Sequence, residues 1–146
     1  MKGIYILILK LSSEKNIGVG KLGRILFQSG YYAYIGSALS GIHRLDRHLN
    51  NIEKGGVQNP HWHIDYIVPH LKVVEWVFAL TVKPGKEEEI ANKLSGNLSY
   101  IPGFGSSDSS APSHLFFARN LLKLKEEVNE TCRVLGLNQI YAREFG

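Results

Sequence analysis

The chain has 146 residues, of which 44% are hydrophobic, and this length is enough for one domain with a substantial core. No apolar run reaches the roughly 18 residues that a membrane-spanning helix requires, and the single cysteine, Cys132, excludes an internal disulfide. We therefore expect a cytoplasmic protein with no membrane partner. Its net charge of +4 and its pI near 9.2 favour contact with polyanions such as nucleic acid.

The N-terminal part of the chain predicts strands separated by turns. Residues 3–11 are rich in Ile and Leu, as in a buried central strand. Glycines mark a tight turn at residues 20–23, and an aromatic strand ends at Gly36. The strands that follow residue 11 are predicted at residues 17–19, 24–27 and 31–35.

The clearest helix is predicted at residues 41–52. Its apolar residues have the spacing of a single helix face, and they are Ile42, Leu45, Leu49 and Ile52. Arg44, Arg47 and His48 are expected together on the opposite side. The polar, glycine-containing residues 51–60 then predict a mobile loop.

The C-terminal part predicts more elements of both kinds. The strands are predicted at residues 61–68, 73–82 and 114–118, and the helices at residues 86–94 and 121–135. Together the elements predict an α/β fold, with a small mixed, mainly antiparallel sheet flanked by about three helices. Residues 1–118 are expected to form this domain, and residues 119–146 a C-terminal helical extension packed on it.

A glycine pattern at residues 18–23 matches the dinucleotide-binding motif. That motif requires a following helix, whose N-terminus holds the pyrophosphate. Here residues 24–27 are expected to be a strand, and no acidic residue ends a strand about 20 residues further on. We interpret the glycines as part of a β-hairpin.

Two tripeptides carry the strongest functional signal. Gly3-Ile4-Tyr5 and Tyr34-Ile35-Gly36 are expected on adjacent strands, which would place Tyr5 and Tyr34 close together at the edge of the sheet. Arg44 follows on the next helix, and His48 lies one helical turn beyond it on the same face. With these residues the chain resembles the GIY-YIG nuclease superfamily, which includes the incision domain of bacterial nucleotide-excision repair.

Further segments resemble the Uri-type branch of that superfamily. They occur in the expected order, and they are residues 32–38, 44–48, 62–66, 102–108 and 113–116. Uri-type relatives often have two cysteines where this chain has Ser109 and Ala111. No metal or redox role is therefore predicted for that pair.

The resemblance implies a role for each matching residue. Tyr5 and Tyr34 correspond to the two motif tyrosines, one of which activates or orients the attacking water. Arg44 corresponds to the arginine that steadies the phosphate, and His48 takes the place where relatives carry a tyrosine or a histidine. Glu87 corresponds to the glutamate that binds a single divalent metal, Mg²⁺ or Mn²⁺.

The implied activity is that of a metal-dependent endonuclease, and DNA is favoured over RNA as its substrate. A carboxylate-bound cation would stabilise charge on the scissile phosphate, and the planar fork of Arg44 suits phosphate. A phenol with a pKa of about 10 is a poor base at neutral pH, and a nearby cation, either Arg44 or the metal, would lower the pKa of the motif tyrosines. Glu88 and Glu89 remain alternatives to Glu87 as the metal ligand.

His61, His63 and Asp65 alternate along a predicted strand, so all three would point from one face. Three interpretations remain open. The residues hold a transition metal, or His63 or Asp65 touches Arg44 or the substrate at the edge of the site, or a hydrogen-bonded pair orders the strand.

A Gly/Ser loop is predicted at residues 102–112. Serine hydroxyls and exposed amides in such a loop can grip phosphate, or the loop is a self-capped turn. The candidate substrate-binding residues include Ser37, Ser107 and His114.

Four basic residues are expected to form a salt-sensitive nucleic-acid surface, namely Lys21, Arg24, Arg44 and Arg47. A second hypothesis is a nucleic-acid-binding module that cuts slowly or not at all and acts with a DNA-repair partner. A third is an interaction protein that uses its amphipathic terminal helix. The oligomeric state is expected to be a monomer or a homodimer.

Overall fold

A computed structural model describes residues 2–41, 43–107, 109–137 and 139–144, the last segment from residue 140 as backbone only. This part of the chain contains a six-stranded sheet, a separate two-stranded hairpin and several helices. The strands are β1 (Gly3–Leu11), β2 (Lys15–Gly18), β3 (Arg24–Phe27), β4 (Gly30–Ser37), β5 (Leu71–Leu80), β6 (Ser99–Tyr100), β7 (Leu115–Ala118) and β8 (Gln139–Glu144). The α-helices are α1 (His43–Lys54), α2 (His63–Ile67), α3 (Lys86–Ser95) and α4 (Leu121–Val134).

The larger sheet has the strand order β6-β7-β4-β1-β5-β8, and each neighbouring pair is antiparallel. The predicted α/β class, with a mainly antiparallel sheet flanked by helices, is confirmed. β1 lies between β4 and β5, as its continuous apolar sequence predicted. Within the described ranges, no helix has the length and apolar character needed to cross a membrane.

The alternation of β1 side chains gives the sheet two different faces. Ile4, Ile6 and Ile8 belong to one core cluster, which also contains the buried side chains of α3 and α4. Tyr5 and Leu7 belong to a second cluster on the opposite face, with buried side chains of α1, α2 and the β2–β3 hairpin. The cavity described below lies on this second face.

The prediction of a strand at residues 61–68 was wrong, because residues 63–67 form the helix α2. Asp65 accepts hydrogen bonds from the backbone amides of His61 and Trp62 at 2.8 and 2.9 Å and so caps the first turn. Ile64 and Ile67 are buried, with the spacing of a helix face. The alternation of His61, His63 and Asp65 with Trp62, Ile64 and Tyr66 had suggested a strand.

α1 packs against the sheet through Leu45 and His48, which are buried. The expectation that His48 lies opposite the apolar side of the helix was therefore wrong. The helix continues to Lys54, so the loop that follows is shorter than predicted. Ile42, which was assigned to the apolar stripe, lies outside the described residues.

α4 buries one face against the sheet, with Leu124, Val128 and Cys132 in the core. Gly136 has a φ of 71°, a left-handed conformation that favours glycine and ends the helix. The chain then returns as β8, which pairs with β5. β8 and the short strand β6 were not predicted.

Candidate active site

A cavity of about 450 Å³ opens on the face of the sheet that carries Tyr5. The predicted site residues that line it are Tyr5, Tyr34, Ser37, Arg44, His48, His63, Glu87, Ser107 and His114. The predicted residues outside its lining are Lys21, Arg24, Arg47 and Asp65. Most of the predicted site residues therefore come together in this cavity, from β1, β4, α1, α3 and the loop before β7.

Tyr5 and Tyr34 have ring centroids 6.4 Å apart. In the register of β1 with β4, Tyr5 lies opposite Gly36 and Tyr34 lies opposite Leu7, so the two phenols are diagonal neighbours on one face. Both strands lie inside the sheet, so the expectation that the tyrosines lie at its edge was wrong.

Gly36 provides the space in which the Tyr5 ring lies. A Cβ atom at this position would be 2.0 Å from Cζ and 2.1 Å from Oη of Tyr5. Such distances are far below van der Waals contact, and any side chain would displace the ring. The glycine of one tripeptide therefore allows the tyrosine of the other to reach the cavity.

His48 Nε2 lies 3.1 Å from Tyr5 Oη, within hydrogen-bonding distance. Burial lowers the pKa of His48 to about 4, and the positive charge of Arg47 acts in the same direction. His48 is therefore neutral at pH 7. It serves the phenol as a hydrogen-bond partner and not as a cation.

The pKa values of Tyr5 and Tyr34 are both raised above that of a free phenol. Burial is the largest cause, and the negative charge of Glu87 adds to it. Arg44 and Arg47 act in the opposite direction but do not compensate. The charge of Arg44 lowers the pKa of both tyrosines, as expected, but desolvation by burial is larger and the net shift is upward.

Trp62 is a cavity residue for which sequence reasoning assigned no role. The guanidinium carbon of Arg44 lies 5.2 Å from the centroid of its ring, and that of Arg47 lies 4.4 Å away. Both distances are in the range of cation–π contacts. Arg44 is exposed and has no carboxylate partner among the described residues, so its guanidinium is available to an anion at the mouth of the cavity.

Arg47 and Asp65 form an ion pair beside the cavity. Arg47 donates to both carboxylate oxygens, at 3.1 and 3.0 Å, and the side chain of Asp65 is fully buried. Burial raises the pKa of Asp65, but the hydrogen bonds from Arg47 and from two backbone amides outweigh it and hold the pKa below its usual range. Both residues are thus engaged in joining α1 to the start of α2.

Because residues 63–67 form the helix α2, His61, His63 and Asp65 do not project from one face of a strand. His63 Nδ1 accepts a hydrogen bond from the Gly105 amide at 2.8 Å, which leaves the proton of the neutral ring on Nε2. Burial lowers the pKa of His63. In the described part of the chain, no group of three or more His, Cys, Asp or Glu side chains is arranged to hold a metal ion.

The three glutamates in the first turn of α3 have different surroundings. Glu87 lines the cavity and pairs with His114 Nδ1 at 2.9 Å. Glu88 also lines it, but accepts hydrogen bonds from the hydroxyl and the amide of Ser110 at 3.0 and 3.4 Å. Glu89 is exposed and pairs with Lys86. Of the three glutamates, Glu87 is the one whose charge raises the pKa of both tyrosines.

His114 is only 3% exposed, so it is a buried wall of the cavity and not a surface ligand. Its Nε2 lies 3.1 Å from Ser109 Oγ, on the side opposite Glu87. Ser107 is exposed at the cavity, whereas Ser37 Oγ accepts a hydrogen bond from the Leu39 amide at 3.3 Å. The loop before β7 thus contributes both an anchored histidine and an exposed hydroxyl.

Two of the predicted basic residues lie on the β2–β3 hairpin and its turn. Arg24 donates hydrogen bonds to the side chain and the carbonyl of Asn16, both at 2.9 Å. Lys21 is exposed in the turn between the strands. Neither lines the cavity, so of the four predicted basic residues only Arg44 does.

The cavity residues fit a divalent cation bound through one carboxylate and solvent. The Glu87 side chain is 28% exposed, and only its Oε1 is bound to His114. No described side chain is bonded to its Oε2, which leaves one anionic oxygen of the kind that Mg²⁺ and Mn²⁺ prefer. A single carboxylate with water ligands is a usual arrangement for Mg²⁺.

Comparison with known proteins adds one finding. A family model described as "Domain of unknown function DUF123" matches residues 4–137, which include every residue named in the cavity. No curated protein and no solved structure gives a significant match.

Proposed function

We propose that this chain, which belongs to the DUF123 family of unknown function, is a metal-dependent endonuclease. Its proposed substrate is nucleic acid, with DNA favoured over RNA. The resemblance of the two tripeptides and the later segments to Uri-type GIY-YIG nucleases supports this assignment.

One observation carries the proposal. Tyr5 and Tyr34 on the sheet, Arg44 and His48 on α1, and Glu87 on α3 line the same cavity of about 450 Å³. These groups supply what phosphodiester hydrolysis requires: a place for a water, a cation for the phosphate and a carboxylate for a metal. Their convergence from distant parts of the sequence favours a reaction centre over simple aromatic packing.

Arg44 is proposed to bind the nonbridging phosphate oxygens. Its guanidinium has no carboxylate partner in the described structure, and Trp62 supports it from one side. Arg47 is committed to Asp65 and therefore contributes charge without direct contact. The difference between these two arginines predicts that only Arg44 acts on the substrate.

Tyr5 and Tyr34 are proposed to orient the attacking water while they remain protonated. Their raised pKa values keep the phenols neutral at pH 7, so each offers one donor and one acceptor. Neutral His48 holds Tyr5 through the 3.1 Å contact with its hydroxyl.

Glu87 is proposed to hold the metal. Bound there, Mg²⁺ or Mn²⁺ would supply positive charge that stabilises the reacting phosphate. Glu88 is bound to Ser110 and Glu89 points away, so neither is proposed as the ligand.

One observation favours a second candidate, a nucleic-acid-binding module that does not cut and that acts with a DNA-repair partner. None of Tyr5, Tyr34 and His48 has a pKa near neutrality, since burial shifts all three away from it. Such groups position a phosphate as readily as they cleave it, and efficient general bases usually have a pKa near the working pH.

The test is a nuclease assay with single-stranded, duplex, flap and branched DNA and with RNA, in Mg²⁺ or Mn²⁺. Each cavity variant has a matched control from the same element or residue type. The pairs are Tyr34→Phe with Tyr31→Phe, Arg44→Ala with Arg24→Ala, and Glu87→Gln with Glu89→Gln. We expect each cavity variant to lose roughly 100-fold or more in kcat/KM while its control keeps most activity.

Cleavage that survives Arg44→Ala and Glu87→Gln would assign the activity to a contaminant and contradict the proposal. Binding of the nucleic acids without cleavage of any would support the second candidate. In that case Arg44→Ala should weaken binding and reduce its salt dependence, whereas Arg24→Ala should not.

A further inference from the structure

A connected set of polar contacts ends at Glu87 and uses residues that the proposed mechanism leaves without a role. The Ala111 amide donates to Ser109 Oγ at 3.1 Å, and Ser109 Oγ lies 3.1 Å from His114 Nε2. On the other side of the ring, His114 Nδ1 lies 2.9 Å from Glu87 Oε1 and 3.3 Å from the Ile35 carbonyl oxygen.

The partners of His114 determine where its ring proton lies. A carboxylate and a carbonyl oxygen only accept hydrogen bonds, so Nδ1 must carry a hydrogen. Ser109 Oγ already accepts from the Ala111 amide, and its own hydrogen is free to bond to Nε2. Nδ1–H donates to the Ile35 carbonyl oxygen, and the same edge of the ring lies within ion-pair distance of Glu87 Oε1.

His114 is also fixed in position by its backbone. Its amide donates to the Phe104 carbonyl at 2.8 Å, and its carbonyl accepts from the Ile35 amide at 3.0 Å. The ring is only 3% exposed, so it has little freedom to rotate away from Glu87. By contrast, the Glu87 side chain is 28% exposed and would sample several rotamers without this contact.

We propose that His114 is a positioning residue that binds Glu87 Oε1 and thereby presents Oε2 to a divalent cation, with Ser109 fixing the ring tautomer. The proposal rests on the proposed metal-dependent function. A histidine that orients a ligating carboxylate in this way acts through its partner, and loss of such outer-shell contacts typically weakens metal binding by about 10- to 100-fold.

The order Ser109, His114, Glu87 also resembles the triad of a serine hydrolase, but its surroundings oppose acyl transfer. Such an enzyme needs backbone amides directed at the developing oxyanion. The amide after Ser109, that of Ser110, faces the carboxylate of Glu88 at 3.4 Å, and the Ser109 amide is bound to the Ser106 carbonyl at 3.1 Å. An oxyanion at Ser109 would meet negative charge instead of donors.

Replacement of His114 by asparagine or by glutamine tests its two ring nitrogens individually. In His114→Asn the amide nitrogen can take the position of Nδ1, whereas in His114→Gln it reaches the position of Nε2. Only His114→Asn can therefore keep a polar N–H group beside Glu87 Oε1. A purely structural role of the buried ring would be disturbed by both variants.

The principal measurement is Mn²⁺ binding by electron paramagnetic resonance in the absence of nucleic acid. We expect His114→Gln to weaken Mn²⁺ binding by at least about tenfold, and His114→Asn to stay within roughly threefold of the wild type. Circular dichroism and thermal unfolding verify that the variants fold. Equal Mn²⁺ affinity of folded His114→Gln and wild type would overturn the positioning role while leaving the proposed nuclease intact.

A second measurement does not depend on a metal. Nitrogen-15 spectra of the histidine rings should show the hydrogen of His114 on Nδ1, and a proton on Nε2 alone would overturn the proposal. Wild type that neither binds Mn²⁺ nor cuts nucleic acid would overturn the nuclease as well. Fluorophosphonate labelling that is lost in Ser109→Ala but kept in Ser110→Ala would replace the positioning role with a hydrolase triad.

Discussion

Replacement of Asp65 by alanine would remove the contact that holds the start of α2 against α1. The Asp65 side chain has no exposed surface, whereas the Arg47 side chain is 33% exposed. Arg47 donates to both carboxylate oxygens, and the amides of His61 and Trp62 also donate to Oδ2. Four hydrogen bonds therefore disappear in Asp65→Ala.

The expected loss in the free energy of unfolding is about 3 kcal/mol. Removal of one partner from a buried ion pair costs roughly 3–5 kcal/mol. The lower end applies because Arg47 and the exposed His61 can regain water. For a chain of this size such a loss lowers Tm by roughly 10 °C.

Urea unfolding at pH 7, followed by circular dichroism, measures this loss. Asp46→Ala is the matched control, because Asp46 is an exposed acid on α1, and its effect should stay within about 0.5 kcal/mol. A double-mutant cycle of Asp65→Ala with Arg47→Ala should give a coupling energy of at least about 1 kcal/mol. A loss no larger than that of the control, or a coupling energy near zero, would refute the reasoning.

The same contact has a defined pH dependence. In the folded chain the pKa of Asp65 is held below its usual range, so the stabilisation is present above the unfolded pKa of about 4 and is lost as the pH falls through the folded value. The difference in unfolding free energy between wild type and Asp65→Ala should therefore shrink at acid pH. A difference that stays constant down to pH 2 would contradict this assignment.

Three further outcomes are expected. Gly36→Ala should cost at least about 2 kcal/mol in unfolding free energy and abolish cleavage, because its Cβ would overlap the Tyr5 ring. The control Gly96→Ala makes an ordinary 3.5 Å contact and should be tolerated in the same urea and nuclease assays. Trp62→Ala should raise Kd for nucleic acid about threefold in a fluorescence anisotropy titration, through loss of its cation–π support for Arg44, and Trp62→Phe should retain most of the affinity. Because the pKa of His48 is lowered from 6.5 to about 4, wild type should lose unfolding free energy as the pH falls between these values, and His48→Gln should lose less over the same interval.

Much of the fold was predictable because its elements are regular and locally encoded. The buried strand β1 is apolar throughout, and α3 and α4 have the spacing of helix faces with glycines near their ends. α2 was not predictable in the same way. It depends on Asp65, whose carboxylate caps the helix and pairs with Arg47 from an earlier helix, a contact that the local sequence does not contain.

The residues that line the site were more predictable than the direction of their pKa shifts. The spacing of Tyr5, Tyr34 and Arg44 suggested residues that line one cavity, but the direction of the tyrosine pKa shifts depends on burial, which only the packed structure reveals. His48 was expected on a solvated face and is buried against Tyr5. The choice among the glutamates required Ser110 and His114, which lie on a loop distant in sequence.

The central place of β1 has a consequence for how the chain must be handled. Nearly all of its side chains are buried, and its second neighbour in the sheet is β5, which lies far along the sequence. A nascent or truncated chain that lacks β5 leaves an apolar strand with an open hydrogen-bonding edge, and such edges template aggregation. Fragments that end within the first two helices should accordingly require chaperones, whereas cuts in the exposed turn of the β2–β3 hairpin should leave the central pairing intact.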